Sequence, residues 1–409
     1  MNVQEVYVVI VGIIVASYFA DQVLEVLNLR AMRTDLPSEV KDFYDAGKFA
    51  RSQAYHREQM KFSFLTAALS FVVSFGMIAL GGFGWLDGYL RGFTDHTIVL
   101  PILFFGALAV GNDILTLPFQ WYHTFVLEAK YGFNQTTVKT FISDKLKGYA
   151  LGALLGGSLL TVLLYLVQKL GADFWIWFAL IAAAFVLFMN MFYTSLIVPL
   201  FNKLTPLPEG ELRTAIEDFL KKIDFPVTQV MVMDGSRRST KANAYFSGIG
   251  RRKKIVLFDT LVANHTTEEL VAVLAHEVGH YKKKHLVWSY VLSVLQLVIT
   301  LYILSLMVFN ETLSLALGGQ QLSIHLNLIA FAILYSPISG VTGWLMNLYS
   351  RKNEYEADAY ARKTYNRSAL ANALKKLSVD NLSNLYPHPV YVFFHYSHPP
   401  LLKRLERLR

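Results

Sequence analysis

The chain has no cysteine among its 409 residues, which excludes a disulfide framework and any thiolate-held metal. Charge is scarce as well: 17% of residues are Asp, Glu, Lys or Arg, against about 25% in ordinary soluble domains. No low-complexity linker, tandem repeat or charge block interrupts the chain, so repeat arrays and disordered tails are excluded too. Any staple must come from packing or from an ion held by nitrogen and oxygen.

Apolar sequence is what the chain has in excess. Hydrophobic residues make up 54%, and the mean hydropathy is positive. Seven apolar stretches are long enough to cross the hydrocarbon core: 4–27, 62–85, 98–119, 148–168, 174–198, 286–309 and 322–348. The expected class is therefore a polytopic membrane protein, mainly α. The first stretch carries Glu5 with no basic residue before it, which fits a retained span better than a cleaved signal peptide. The third contains Asn112 and Asp113, and an acid at that depth faces protein or water rather than lipid.

Basic residues set the expected orientation. Arg30, Arg33, Lys41, Lys48, Arg51, Arg57 and Lys61 follow the first span, and Lys130, Lys139, Lys145 and Lys147 follow the third. The short loops on the other side offer only Arg91 and Lys169. The positive-inside rule then puts the N-terminus outside and the C-terminus in the cytoplasm. The formal charge of +8 reflects this bias and attraction to anionic membrane lipids, not nucleic-acid binding. Four regions result: spans one to five in 1–198, a polar insert in 199–285, spans six and seven in 286–348, and a C-terminal cytoplasmic segment in 349–409. The insert reads as small α+β, with a helix near 209–223, strands near 228–233, 243–248 and 254–258, and a further helix.

That further helix carries His276-Glu277-Val278-Gly279-His280. Residues four apart share a helical face, so both imidazoles can reach one ion, and Glu277 beside them can act as general base. Thr266 and Glu269 have the spacing of a capping box. Leu270, Val273, Leu274, Val278 and Tyr281 recur at helical spacing, so the histidines lie inside the helix. Gly279 weakens a helix by about 1 kcal/mol relative to Ala, which a close backbone approach would explain. The competing reading is a core helix with a satisfied histidine pair, which leaves several buried polar groups in need of partners.

A metal site that does chemistry needs a third protein ligand and an open position. Glu354 and Asp358 lie four apart in Asn353-Glu354-Tyr355-Glu356-Ala357-Asp358, so one can ligate while the other accepts a hydrogen bond from a ligand imidazole. Glu356 faces elsewhere on such a helix and takes no role. Asn243-Ala244-Tyr245-Phe246 reads as an edge strand able to extend a bound peptide, or as a plain hairpin strand turning at Gly248-Ile249-Gly250. Arg251–Lys254 and Lys282–Lys284 read as solvated or headgroup-facing charges. Leu86-Asp87-Gly88 echoes the third-ligand motif of a different class of intramembrane zinc protease. It precedes the histidines, on the outer side, so Asp87 is expected to be a loop acid.

Across most of its length the chain resembles the Ste24-type CAAX prenyl proteases, integral membrane zinc metalloproteases. The likeness is carried by Thr124–Glu128, Tyr131–Asn134, Asp144-Lys145, Pro199–Lys203, Thr205–Pro208, Asn243–Phe246, His276–His280, Glu354–Asp358 and His395–Pro400. Tyr55–Lys61 fits the family's first-loop motif only loosely. The resemblance implies a seven-transmembrane helix barrel enclosing a water-filled chamber, with a zincin-like catalytic insert near its cytoplasmic end. It also implies one Zn2+ per chain on His276, His280 and Glu354, catalysis by Glu277, and support from Asp358. Asn243, with Ala244 and Tyr245, would hold substrate, and His398 and Arg404 would bind substrate or stabilise the oxyanion.

The function expected is hydrolysis of peptide bonds in membrane or membrane-associated proteins, with partners limited to peptide or protein substrate and lipid. Removal of C-terminal tails from prenylated proteins is the alternative with the same chemistry. A transporter or scaffold with a structural metal site is the alternative of another class. A monomer is compatible with all of these features. The end of the sequence at Arg409, without an endoplasmic reticulum retrieval signal, gives the expectation of a prokaryotic plasma membrane.

Overall fold

A computed structural model of the chain describes residues 1–225, 229–248 and 254–409. Part of the Gly248-Ile249-Gly250 turn and Arg251, Arg252 and Lys253 lie outside the described residues.

Among the described residues, six helical stretches are long and apolar enough to cross a membrane: Val3–Ala31, Ala46–Ala79, Val99–Glu128, Val138–Phe201, His285–Met307 and Ile324–Thr364. The fourth, 64 residues long, contains both 148–168 and 174–198, joined by a short turn at Gly171–Asp173 where Gly171 takes φ 56°. The expected span 62–85 stops earlier than the hydropathy suggests. Gly81, at φ 65°, breaks the helix after Ala79 and starts a separate helix, Gly82–Arg91. Only 6% to 17% of the residues in the most apolar windows are buried by protein, so the spans do not pack as a solid bundle. Their side chains mostly lie outside the protein core.

Two buried or partly buried acids within these helices are paired. Asp113 accepts a hydrogen bond from Lys145 at 2.6 Å and another from Tyr149, as an acid at membrane depth requires. Asp87 is not a loop acid. It lies in Gly82–Arg91, 2% exposed, 2.7 Å from His325 Nε2 and bonded by Arg91 at 3.0 Å, and so ties this short helix to the last span. The sequence gives no hint of that partner because it lies 238 positions away.

The polar insert holds a four-stranded sheet of β1 (Leu204–Pro206), β2 (Gln229–Met233), β3 (Ala244–Ser247) and β4 (Lys254–Phe258), in the order β1-β2-β4-β3. β2 and β4 run parallel, while β1 and β3 join antiparallel at the two edges. β1 was not expected from the sequence. It is three residues long and ends in Pro206, which lacks an N–H and is tolerated only at an edge. The amphipathic helix Glu211–Lys222 buries Ile216, Phe219 and Leu220 against the sheet and against the histidine helix, Thr267–Lys282. Arg238 fastens the insert to the membrane helices by donating to Asp144 from Nε at 2.7 Å and Nη2 at 2.9 Å.

The histidine helix begins where the sequence places it. Thr266 Oγ1 accepts from Glu269 N at 3.3 Å, and Glu269 Oε2 accepts from Thr266 N at 2.9 Å, completing the capping box. Leu270, Val271, Leu274, Ala275 and Val278 are buried in the core. The last long helix, Ile324–Thr364, has 41 residues and so spans about 60 Å, twice the roughly 30 Å hydrocarbon core. Its C-terminal part therefore projects beyond the lipid and packs on the histidine helix.

Glu269 also receives Lys376 Nζ at 2.7 Å. Burial works to raise its pKa, but Lys376 and the Thr266 amide outweigh that and lower it. A depressed folded pKa means that the stabilisation is present above the unfolded value and is lost as pH falls through the folded one. Glu269→Gln should therefore lower Tm in detergent at pH 7, corresponding to about 1–3 kcal/mol. The difference from wild type should shrink below about pH 4. Equal Tm values at pH 7 would contradict this account of the cap.

Candidate metal centre

The cap fixes the helical register, and the register points His276 and His280 the same way. Their ring centroids are 4.8 Å apart and their Nε2 atoms 3.2 Å apart. Glu354 reaches them from the projecting helix, with Oε1 3.2 Å from His280 Nε2 and Oε2 3.5 Å from His276 Nε2. One ligand atom from each of the three residues lies within 4.8 Å of the others.

Gly279 makes this approach possible. A Cβ there would lie 3.0 Å from Ala357 Cα, 3.1 Å from Ala357 O and 3.1 Å from Tyr360 Cβ. The glycine thus permits the close backbone contact expected of it, and the contact is with the helix that carries Glu354.

The cluster fits a cation. Glu354 Oε2 is buried and accepts no hydrogen bond among the described residues, although it faces an imidazole nitrogen. A buried carboxylate oxygen without a hydrogen bond is costly, and Arg404 Nη1 at 3.5 Å offsets that only in part, which leaves the oxygen free to meet a cation. Two imidazole nitrogens and a carboxylate oxygen are a donor set that suits zinc.

Behind the cluster, His276 Nδ1 lies 2.9 Å from Asp358 Oδ1, the arrangement that fixes a ligand imidazole's tautomer. Arg404, on the C-terminal helix Leu401–Leu408, donates to Asp358 Oδ2 from Nε at 2.9 Å and to Oδ1 from Nη2 at 2.6 Å. Its Nη1 is 3.5 Å from Glu354 Oε2, and its side chain is only 11% exposed. His398 lies on the open side instead: its Nε2 is 3.3 Å from Glu354 Oε1, and its side chain is 66% exposed.

Electrostatics differ around the ring of groups. Burial raises the pKa of Glu277, and the neighbouring imidazoles offset part of that. Surrounding protein lowers the pKa of His398, although its side chain is largely exposed. Burial opposes a charged His276 ring, but Asp358 and Glu354 prevail and push its pKa up to about 9.

Asn243 stands apart. Its side chain is exposed and its Oδ1 accepts from Ala244 N at 2.9 Å. Among the described residues no hydrogen bond joins it to the ligand cluster. Ala244 and Tyr245 follow on β3, at the edge of the sheet. The residue missed from the sequence is His285, buried, with its Nδ1 3.0 Å from His280 Nδ1. Its signal in the sequence is a third histidine five positions after the pair, directly before the apolar stretch 286–309.

Residues 25–203 match the family described as CAAX prenyl protease N-terminal, five membrane helices, and residues 206–409 match peptidase family M48. The chain is 35% identical to a CAAX prenyl protease 1 homolog of Oryza sativa subsp. japonica, covering 96% of this chain and 95% of that protein. It is 35% identical to CAAX prenyl protease 1 of Saccharomyces cerevisiae, covering 92% and 88% respectively. It is 32% identical to the human homolog, covering 92% and 89%. The crystal structure of S. mikatae Ste24p superposes with a TM-score of 0.93 at 31% identity, covering 98% of this chain and 99% of that one. These relatives are eukaryotic, so they lend no support to a prokaryotic source.

If the Gly279–Ala357 contact sets the ligand spacing, Gly279→Val should leave a folded protein that holds less than one metal per chain after dialysis, measured by elemental analysis. A full complement of metal in that variant would show that the spacing is set elsewhere.

Proposed function

The chain belongs to peptidase family M48, as an integral membrane metalloendopeptidase, and from that premise we propose that it uses zinc to cut C-terminal tails of prenylated proteins. The observation that carries the metal assignment is the convergence of His276, His280 and the unbonded Oε2 of Glu354. The substrate class rests on the names of the relatives, each called a CAAX prenyl protease. The broader expectation, a peptidase for membrane proteins at large, shares the chemistry and differs only in substrate. The transporter or scaffold reading falls with the family membership.

In this reading His276, His280 and Glu354 hold the ion. Bound there, zinc would polarise a carbonyl and bring the pKa of water to roughly 7. Glu277 takes the proton of the attacking water and passes one to the leaving amine, and burial, by raising its pKa, makes it a stronger base than an ordinary carboxylate. His398, exposed beside the cluster, donates to the developing oxyanion. Arg404 is engaged by Asp358 and almost buried, so its part is to hold the acid that orients His276 rather than to touch substrate. β3 offers its edge to an extended peptide, with Asn243, Ala244 and Tyr245 at the start of that edge.

The stretch Val138–Phe201 is read as a helical hairpin, which gives seven crossings around a chamber, a count favoured by the turn at Gly171. The bias of basic residues puts the insert 199–285 and the segment 349–409 on the cytoplasmic side.

Purified Glu277→Ala should retain one zinc per chain while losing about 10²–10⁴ of the wild-type rate on a farnesylated peptide. His398→Ala should also retain zinc and lose about 10²-fold or more in kcat. Wild type should cut the farnesylated peptide in preference to its unmodified twin. Equal rates on the two peptides would return the substrate reading to a general peptidase, and an active Glu277→Ala would refute the mechanism.

A further inference from the structure

We infer that His285 and Glu356 are positioning residues that orient His280 for the metal through a two-link hydrogen-bonded line. The inference rests on the reading of His280 as a ligand. His280 Nε2 faces His276 Nε2 and Glu354, so its Nδ1 is turned away from the ligand cluster. That Nδ1 lies 3.0 Å from His285 Nδ1, and His285 Nε2 lies 3.2 Å from Glu356 Oε2.

Only one proton arrangement satisfies every link once Nε2 of His280 is given to a metal. Its remaining ring proton then sits on Nδ1 and must be donated. His285 Nδ1 has to accept that proton, so the proton of the neutral His285 ring sits on Nε2. Facing Nε2 is a carboxylate, which can only accept. The negative charge of Glu356 thus selects, through one imidazole, the tautomer of His280 that leaves its Nε2 lone pair free. Asp358 does the same for His276 directly, at 2.9 Å. The two histidine ligands are supported alike in chemistry and differently in reach.

The backbone is bent to make the second line. Lys284 takes φ 59°, a left-handed conformation that is unfavourable for a lysine, and Lys284 N donates to Tyr281 O at 2.8 Å. This tight reversal ends the histidine helix and swings His285, the first residue of the next one, back beneath His280. The His285 side chain is 6% exposed, whereas that of Glu356 is 38% exposed, with Lys352 Nζ 3.8 Å away. The line therefore runs from the buried ligand to the protein surface. Glu356, given no role from the sequence, gains one because His285 stands between it and the site.

The test is zinc affinity, measured by competition with a chromophoric chelator on full-length protein in detergent, with Tm of each metal-stripped variant as the folding check. His285→Ala should bind zinc about 10–100-fold more weakly than wild type. Glu356→Ala should weaken binding in the same direction, and Glu356→Gln, which keeps an acceptor oxygen, should recover part of the loss. The double variant should be no weaker than His285→Ala, because both residues act along one line. Should His285→Ala fail to fold, the half-exposed Glu356 pair of variants carries the test. Wild-type affinity in Glu356→Ala, or additive losses in the double variant, would overturn the inference. A wild type that binds no zinc would instead refute the ligand assignment from which it starts.

Discussion

The site depends on one close contact between two helices of different origin. The histidine helix belongs to the polar insert and is placed by its own cap and core. The helix that carries Glu354 and Asp358 is the continuation of a membrane span. Gly279 against Ala357 lets the two backbones approach until imidazoles and carboxylate meet. A larger residue at that point would hold the imidazoles and the carboxylate apart whatever their chemistry, so the geometry of the cluster is a packing result before it is an electrostatic one.

Charge then determines what the meeting point can hold. Glu277, Glu354 and Asp358 bring three carboxylates to the neighbourhood, and Arg404 brings one guanidinium. The carboxylates and the guanidinium alone sum to two negative charges in a mostly buried place, an excess that the raised pKa of His276 offsets in part and that a divalent cation would offset in full. Burying such charges costs several kcal/mol each, so an ion held there would contribute to the fold as well as to any chemistry. Arg404 is nearly buried against the cluster, whereas His398 beside it is largely exposed.

The sequence reveals the parts whose physics is local. A capping box, a helical apolar stripe and two histidines four apart lie within one short segment, and each of them reappears in the fold. Hydropathy likewise finds the membrane helices, though not their ends. Gly81 and Gly171 break or turn the chain at positions where hydropathy alone continues it or leaves the connection undefined. What the sequence hides is pairing at a distance. Asp87 looked like a loop acid because His325 is far along the chain, and Glu356 looked idle because its link to the site passes through His285. β1 escaped notice because three residues ending in proline show no strand pattern, and Asn243 shows no bond to the ligands although its place beside the edge strand was legible.

The central claim is that His276, His280 and Glu354 share one ion. X-ray absorption spectroscopy at the zinc edge on the purified, zinc-loaded protein tests it most directly, with Glu354→Ala as the comparison. The account predicts one zinc per chain with two imidazole nitrogens and at least one carboxylate oxygen in its shell at about 2.0–2.2 Å, and the loss of that carboxylate in the variant. A wild-type spectrum with a different histidine count, or one that the Glu354→Ala change leaves untouched, would contradict it.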